Sequence, residues 1–184
     1  MTSSSYLSGK HVLVVDDDPD ILESVEEILD LAKIDTAQDY EKASQKIKTG
    51  SYDLAILDIM GVNGLVLLEE CVAKKIPSVM LTAHAVSPET LMASIQKGAI
   101  AYFPKEVLAD LDKMLEKLLG TWQRGEPTWK FLFEMLGDYF NERFGPRWQE
   151  KDKNFWSEFS RTYHVSKGIS ERLKHDPKIL EKGI

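Results

Sequence analysis

Val12-Leu13-Val14-Val15-Asp16-Asp17-Asp18-Pro19 opens with four apolar, mostly β-branched residues and closes on three carboxylates and a proline. An apolar run without alternation suits a strand covered on both faces, as in a parallel sheet. With Asp18 as N-cap and Pro19 at the first helical position, the polar turn starts a helix. Ile21, Leu22, Val25, Ile28 and Leu29 then recur on one face of that helix. The stretch therefore reads as a buried strand, an acidic turn and an amphipathic helix.

The same grammar repeats downstream. A weaker strand is expected near 34–37, then a helix over 40–48 that stops at Gly50. Leu54-Ala55-Ile56-Leu57 is a second buried strand ending at Asp58, and Leu65, Leu68, Cys71 and Val72 mark the next helical face. A strand over 77–81 ends at Thr82. Ser87-Pro88-Glu89 opens a helix that closes at Gly98, and 99–103 forms the last short strand. Leu108, Leu111, Met114 or Leu115, and Leu118 give a final amphipathic helix. Five such units predict an α/β fold, an open five-stranded, doubly wound parallel sheet, because right-handed crossovers place helices on both faces. Five strands are too few for an eight-stranded barrel.

Composition sets the outer limits. The chain has 184 residues, 43% hydrophobic and 29% charged, which suits one ordinary domain plus a smaller segment. No apolar run approaches the roughly 18 residues needed to cross a bilayer. The polar residues 1–9 lack an export signal and are expected to form a flexible start, with a cytoplasmic chain as the default. The single cysteine, Cys71, excludes an intrachain disulfide framework and a thiolate metal cluster; a buried apolar role is expected for it. Residues 1–120 carry 11 basic and 20 acidic side chains, whereas 121–184 carry 12 and 10, and all four tryptophans lie beyond position 120. That shift places a boundary near Gly120, and neither part is basic enough to favour nucleic acid.

In a doubly wound sheet the active crevice lies beyond the carboxyl ends of the strands. Asp16 and Asp17 end the first strand, Asp58 the third and Thr82 the fourth, with Lys105 just past the fifth. Three carboxylates converging there repel one another, and a divalent cation would hold them together. Oxygen ligands alone favour Mg²⁺ or Mn²⁺ over zinc. A carboxylate beside such an ion can attack a phosphoryl group and form an acyl phosphate. The Thr82 hydroxyl and Lys105 ammonium are placed to bind the phosphoryl oxygens.

Over about 10–120 this constellation resembles the receiver domain of two-component response regulators, a CheY-like, flavodoxin-like fold. The resemblance implies strand order 2-1-3-4-5 and makes Asp58 the phosphoacceptor. It also implies Asp17 as direct metal ligand, Asp16 acting largely through water, and the Met60 backbone carbonyl as the remaining protein ligand. Thr82-Ala83 matches the family's switch hydroxyl and its small neighbour. Ala101-Tyr102-Phe103-Pro104-Lys105 matches the end of the fifth strand, with Tyr102 as the switch aromatic. When Thr82 and Lys105 are drawn toward a phosphoryl group, the space vacated near Thr82 admits the Tyr102 ring. The implied phosphodonor is a histidine kinase or phosphotransfer protein, and the implied role is a phosphorelay switch with slow self-dephosphorylation, not a turnover enzyme. Two departures stand out. Gly64 follows Asp58 by six positions where the family has eight, so the loop is shorter and Gly61 is expected to supply the compensating backbone freedom. Pro104 precedes Lys105, and Glu106 follows it, where the family places proline after the lysine.

Beyond position 120 the pattern is helical and rich in aromatic residues, with 12 among the last 64 positions. Trp129, Leu132, Phe133, Leu136, Phe140 and Phe144 share helical spacing before Gly145-Pro146. Trp148, Asp152, Phe155 or Trp156, Phe159 and Tyr163 suggest a second helix, and Ile169, Leu173 and 179–180 a third, with a break at Asp176-Pro177. These aromatics are expected to pack a small bundle or to pack it onto the receiver, and a regulated protein-binding or homodimer surface is the functional alternative. Two other readings remain open: a non-phosphorylated pseudo-receiver used for interaction, and a DNA-binding output through the extension. His84, two residues past Thr82, reads as an exposed loop residue.

Overall fold

The computed structural model describes residues 5–162. The expected five βα units are all present: β1 (His11–Val15), α1 (Pro19–Ile28), β2 (Lys33–Ala37), α2 (Tyr40–Thr49), β3 (Leu54–Leu57), α3 (Gly64–Ala73), β4 (Ser78–Thr82), α4 (Pro88–Gln96), β5 (Ala101–Pro104) and α5 (Leu111–Gln123). The strands form one parallel sheet in the order β2-β1-β3-β4-β5. All four residues of β3 are buried, as are all five of β4, because helices cover both faces. Helices α2, α3 and α4 lie side by side, while α1 and α5 border a separate cleft lined by Ile28, Leu29, Asp112 and Glu116. The helix starts follow local chemistry. Asp18 accepts the Asp20 amide at 2.9 Å ahead of Pro19, and Ser87 accepts the Thr90 amide at 3.1 Å ahead of Pro88.

Three expectations for residues 1–120 are corrected. The last strand begins at Ala101, not at 99, because Gly98 turns the chain at φ +98° and Ile100 first bonds the Ser78 carbonyl. Leu108 lies in a 3-10 segment, Lys105–Asp110, so α5 starts only at Leu111. Gly120, near which the composition shifts, lies within that helix. It sits inside α5 at a buried position, where an added Cβ would meet the Tyr6 ring at 3.1 Å, so its small size serves close packing. The start of the chain is not a loose tail over 5–9: Leu7 is buried, and the Tyr6 and Leu7 amides donate to the Glu116 carboxylate at 2.9 and 3.1 Å.

Beyond α5 come α6 (Thr128–Phe144), a 3-10 turn (Trp148–Asp152) and α7 (Lys153–Thr162). The expected second tail helix is thus split into a tight turn and a shorter helix. Tyr163 and the expected third helix lie outside the described residues. Helix α6 packs against both α5 and β5, the free edge of the sheet. Leu132, Leu136 and Phe140 are buried on it at the spacing read from the sequence. Trp148 and Trp156 meet edge to face at 4.9 Å and tie α7 to the turn before it. No helix among the described residues is long and apolar enough to cross a membrane.

Candidate functional site

The strand order reverses between β1 and β3, and the carboxyl ends of those two strands stand level, with the Asp58 amide donating to the Val15 carbonyl at 2.9 Å. Asp16 and Asp58 leave the strands there and are both buried. Asp17 is exposed on the following turn. One carboxylate oxygen from each of the three lies within 4.8 Å of the others.

Lys105 knits the cluster. Its ammonium donates to Asp16 Oδ2 at 2.7 Å and to Asp58 Oδ2 at 3.0 Å. The second oxygens are held by backbone: the Asp18 amide donates to Asp16 Oδ1 at 2.9 Å, and the Ile59 amide to Asp58 Oδ1 at 2.7 Å. Burial pushes the Asp16 carboxyl up to about 6, against the lowering effect of the Lys105 and Asp18 hydrogen bonds; the charge of Asp58 pushes the same way as burial. Burial acts to lower the Lys105 ammonium, but its hydrogen bonds to Asp16 and Asp58 outweigh that, and the net direction is up. Above pH 6 three carboxylates thus face one ammonium. The leftover negative charge and the all-oxygen donor set suit a hard divalent cation.

Three further observations fit a phosphoryl group and its ion. Thr82 is fully buried, and its hydroxyl oxygen has no hydrogen-bond partner among the described residues. Leaving such a group unpaired costs about 1–3 kcal/mol, so a ligand that accepts from it recovers that loss. Thr82 also pairs across the sheet with Pro104, which puts it beside the segment carrying Lys105. The shortened loop, finally, is folded back onto the aspartates. Gly61 has φ +83°, and a Cβ built there would lie 2.3 Å from Asp17 Oδ2. Gly64 approaches more closely still, since its Cβ would fall 1.7 Å from the Asp58 carbonyl oxygen. Met60 lines the same open cleft as Asp17, Asp58, Gly61, Lys105 and His84, which stands exposed on the rim.

Tyr102 is buried completely. Its hydroxyl lies 2.8 Å from Thr90 Oγ1 and 3.2 Å from the Ala85 carbonyl, and the Ser87 amide donates to it at 3.4 Å. Those partners sit in the loop after β4 and in the first turn of α4. The sequence reading reached every ionisable member of the cluster. It missed the Ile59 amide, the approach of Gly61 to Asp17 and the ring of partners on Tyr102. Glu106, which departs from the family pattern after the lysine, accepts a hydrogen bond from Tyr139 of α6. A glycine spacing that differs from the usual one was the only local signal for any of these.

The family model for the response regulator receiver domain matches residues 12–119, so α6 and α7 lie outside it. No curated protein is significantly similar to the chain. Among solved structures, a CheY-like response regulator receiver domain protein from Methanospirillum hungatei JF-1 is 33% identical with a TM-score of 0.56, over 64% of this chain and 100% of that one. TrrA from Thermotoga maritima, solved in complex with Mg²⁺-BeF, is 36% identical with a TM-score of 0.51, over 59% and 97%. NtrX from Brucella abortus is 32% identical with a TM-score of 0.53, over 59% of this chain and 26% of that one.

Proposed function

The chain belongs to the response regulator receiver family, and on that premise we propose that it is a phosphorylation-dependent switch that accepts a phosphoryl group on Asp58. The observation that carries this reading is the position of Asp58, buried at the carboxyl end of β3, 3.0 Å from the Lys105 ammonium and within the three-carboxylate cluster. A carboxylate oxygen of Asp58 attacks the phosphorus of a phosphohistidine on a kinase or phosphotransfer protein. An O–P bond forms, the N–P bond breaks, and the imidazole nitrogen keeps the electron pair. Lys105 then exchanges a carboxylate for a phosphoryl oxygen, and the Thr82 hydroxyl gains the acceptor it lacks.

Asp17, Asp58, the Met60 carbonyl and Asp16 through water would hold Mg²⁺ or Mn²⁺, whose charge neutralises the incoming phosphoryl oxygens. The Mg²⁺-BeF complex of TrrA, a relative 36% identical, supports the choice of ion. Each protein takes up one phosphoryl group and loses it slowly to water, so the useful product is the switched protein itself. The test is intact mass after incubation of the full chain with acetyl phosphate and Mg²⁺. A phosphoryl adduct is expected, and is expected to vanish in Asp58→Asn and in metal-free buffer. Equal labelling of Asp58→Asn would refute the assignment.

A further inference from the structure

We infer that α6 is a built-in clamp that recognises Tyr102 in its buried position, so that the extension grips the receiver more tightly when Asp58 carries a phosphoryl group. The inference rests on the reading of Asp58 given above. Helix α6 lies along β5, the open edge of the sheet, and holds it at three places. At its start the Trp129 indole N–H donates to the Ala99 carbonyl at 2.9 Å, just before β5. Three turns on, Phe140 is fully buried with its ring edge-on to Tyr102 at 6.1 Å. The preceding residue, Tyr139, donates its hydroxyl to Glu106, the immediate neighbour of Lys105. Adjacent positions of α6 therefore touch both the switch aromatic and the segment that carries the cation of the site.

The direction of the coupling follows from occupancy. The Tyr102 hydroxyl reaches inward to Ala85 and Thr90, while Phe140 and α6 fill the space outside β5. A Tyr102 ring turned outward would enter the volume that Phe140 now fills, so a docked α6 requires a buried Tyr102. The unpartnered Thr82 hydroxyl, drawn toward a phosphoryl group at Asp58, leaves more room for the buried ring. Phosphoryl group and α6 thus favour the same arrangement of Tyr102, and the linkage must be reciprocal. Phe140 stacks on Phe144 at 5.6 Å and meets Trp148 at 6.3 Å, which carries the docked state into the turn before α7.

All four tryptophans lie between positions 122 and 156, so intrinsic fluorescence reports on the extension and the last turn of α5. The experiment uses the full chain with Mg²⁺ and excess acetyl phosphate, with Asp58 occupancy read by intact mass in the same sample. Labelled protein is expected to show amide hydrogen exchange over 128–144 slowed about fivefold, the lower end of ordinary allosteric coupling, together with reduced acrylamide quenching of tryptophan. Tyr139→Phe, which removes only a hydroxyl, and Phe140→Leu are expected to diminish that response and to lower Asp58 occupancy reciprocally. Should Phe140→Leu fold poorly, Tyr139→Phe alone decides. Full occupancy with unchanged or faster exchange overturns the clamp and leaves Asp58 as phosphoacceptor. A wild-type response in Tyr139→Phe overturns it equally, and absence of any adduct overturns both readings.

Discussion

A methyl group at position 61 probes how the short loop seats the acidic cluster. The Cβ of Gly61→Ala falls 2.3 Å from Asp17 Oδ2 and 2.6 Å from its Cγ, well inside the 3.0 Å that real Cβ contacts respect. The backbone there has φ +83°, a region that costs a residue bearing a Cβ about 1–2 kcal/mol. Because Asp17 is exposed, its carboxylate can swing into solvent, so the folding cost stays near that backbone figure. In a chain of this length the melting temperature should fall by about 2–8 °C. Metal binding suffers separately. A charge pair near 4 Å at a protein surface is worth about 4 kcal/mol before salt screening, so turning one exposed carboxylate away should cost about half of that, or roughly 30-fold in affinity. Gly64→Ala makes the contrast. There the Cβ would lie 1.7 Å from a backbone oxygen that cannot rotate aside, and the folding loss should reach about 3 kcal/mol. Melting in EDTA and calorimetric Mg²⁺ titration of the wild type and both variants separate the two costs. If Gly61→Ala binds Mg²⁺ within about threefold of wild type, the idea that bare backbone at 61 seats Asp17 is wrong.

Asp16 titrates near 6, and a proton on it competes with the metal, so Mg²⁺ affinity should drop about tenfold per pH unit below 6. The metal-free fold should respond in the opposite sense: a carboxyl raised in the folded state holds its proton more tightly, so its contribution is greatest below pH 4 and is lost as pH rises through 6. Flat Mg²⁺ affinity between pH 7 and 5 would contradict the first statement, and a melting temperature in EDTA that rises over pH 4 to 6 in wild type but not in Asp16→Asn the second. Lys105→Met leaves Asp16 and Asp58 facing each other without a counter-charge and should cost about 3 kcal/mol without metal, partly recovered by Mg²⁺. An unshifted metal-free melt in that variant speaks against the bridging role. Trp129→Phe keeps the ring contacts but strands the Ala99 carbonyl, and a loss of about 1–2 kcal/mol is expected by thermal denaturation. No loss would mean that water replaces the indole.

Much of the fold can be read along the chain because its signals are local. Buried parallel strands appear as unbroken apolar runs such as Val12-Leu13-Val14-Val15 and Leu54-Ala55-Ile56-Leu57, and helix starts as Asp18-Pro19 and Ser87-Pro88. Strand-end placement then brings Asp16, Asp17, Asp58 and Lys105 to one edge, because every strand of a parallel sheet ends on the same side. The approach of Gly120 to Tyr6 was out of reach along the chain because it joins positions far apart in sequence. Leu108 misled because a 3-10 segment borrows the spacing of a helix.

What the order of residues by itself determined is the set of elements, the parallel sheet and the chemical types gathered at its carboxyl edge. Tertiary structure alone decided that Lys105 bridges two aspartates, that the Thr82 hydroxyl is buried without a partner among the described residues, and that α6 closes over β5 with Phe140 against Tyr102. The division has a physical cause. Periodicity and capping depend on neighbours a few residues apart, whereas these contacts join positions 33 to 89 residues apart and exist only once the layers have stacked.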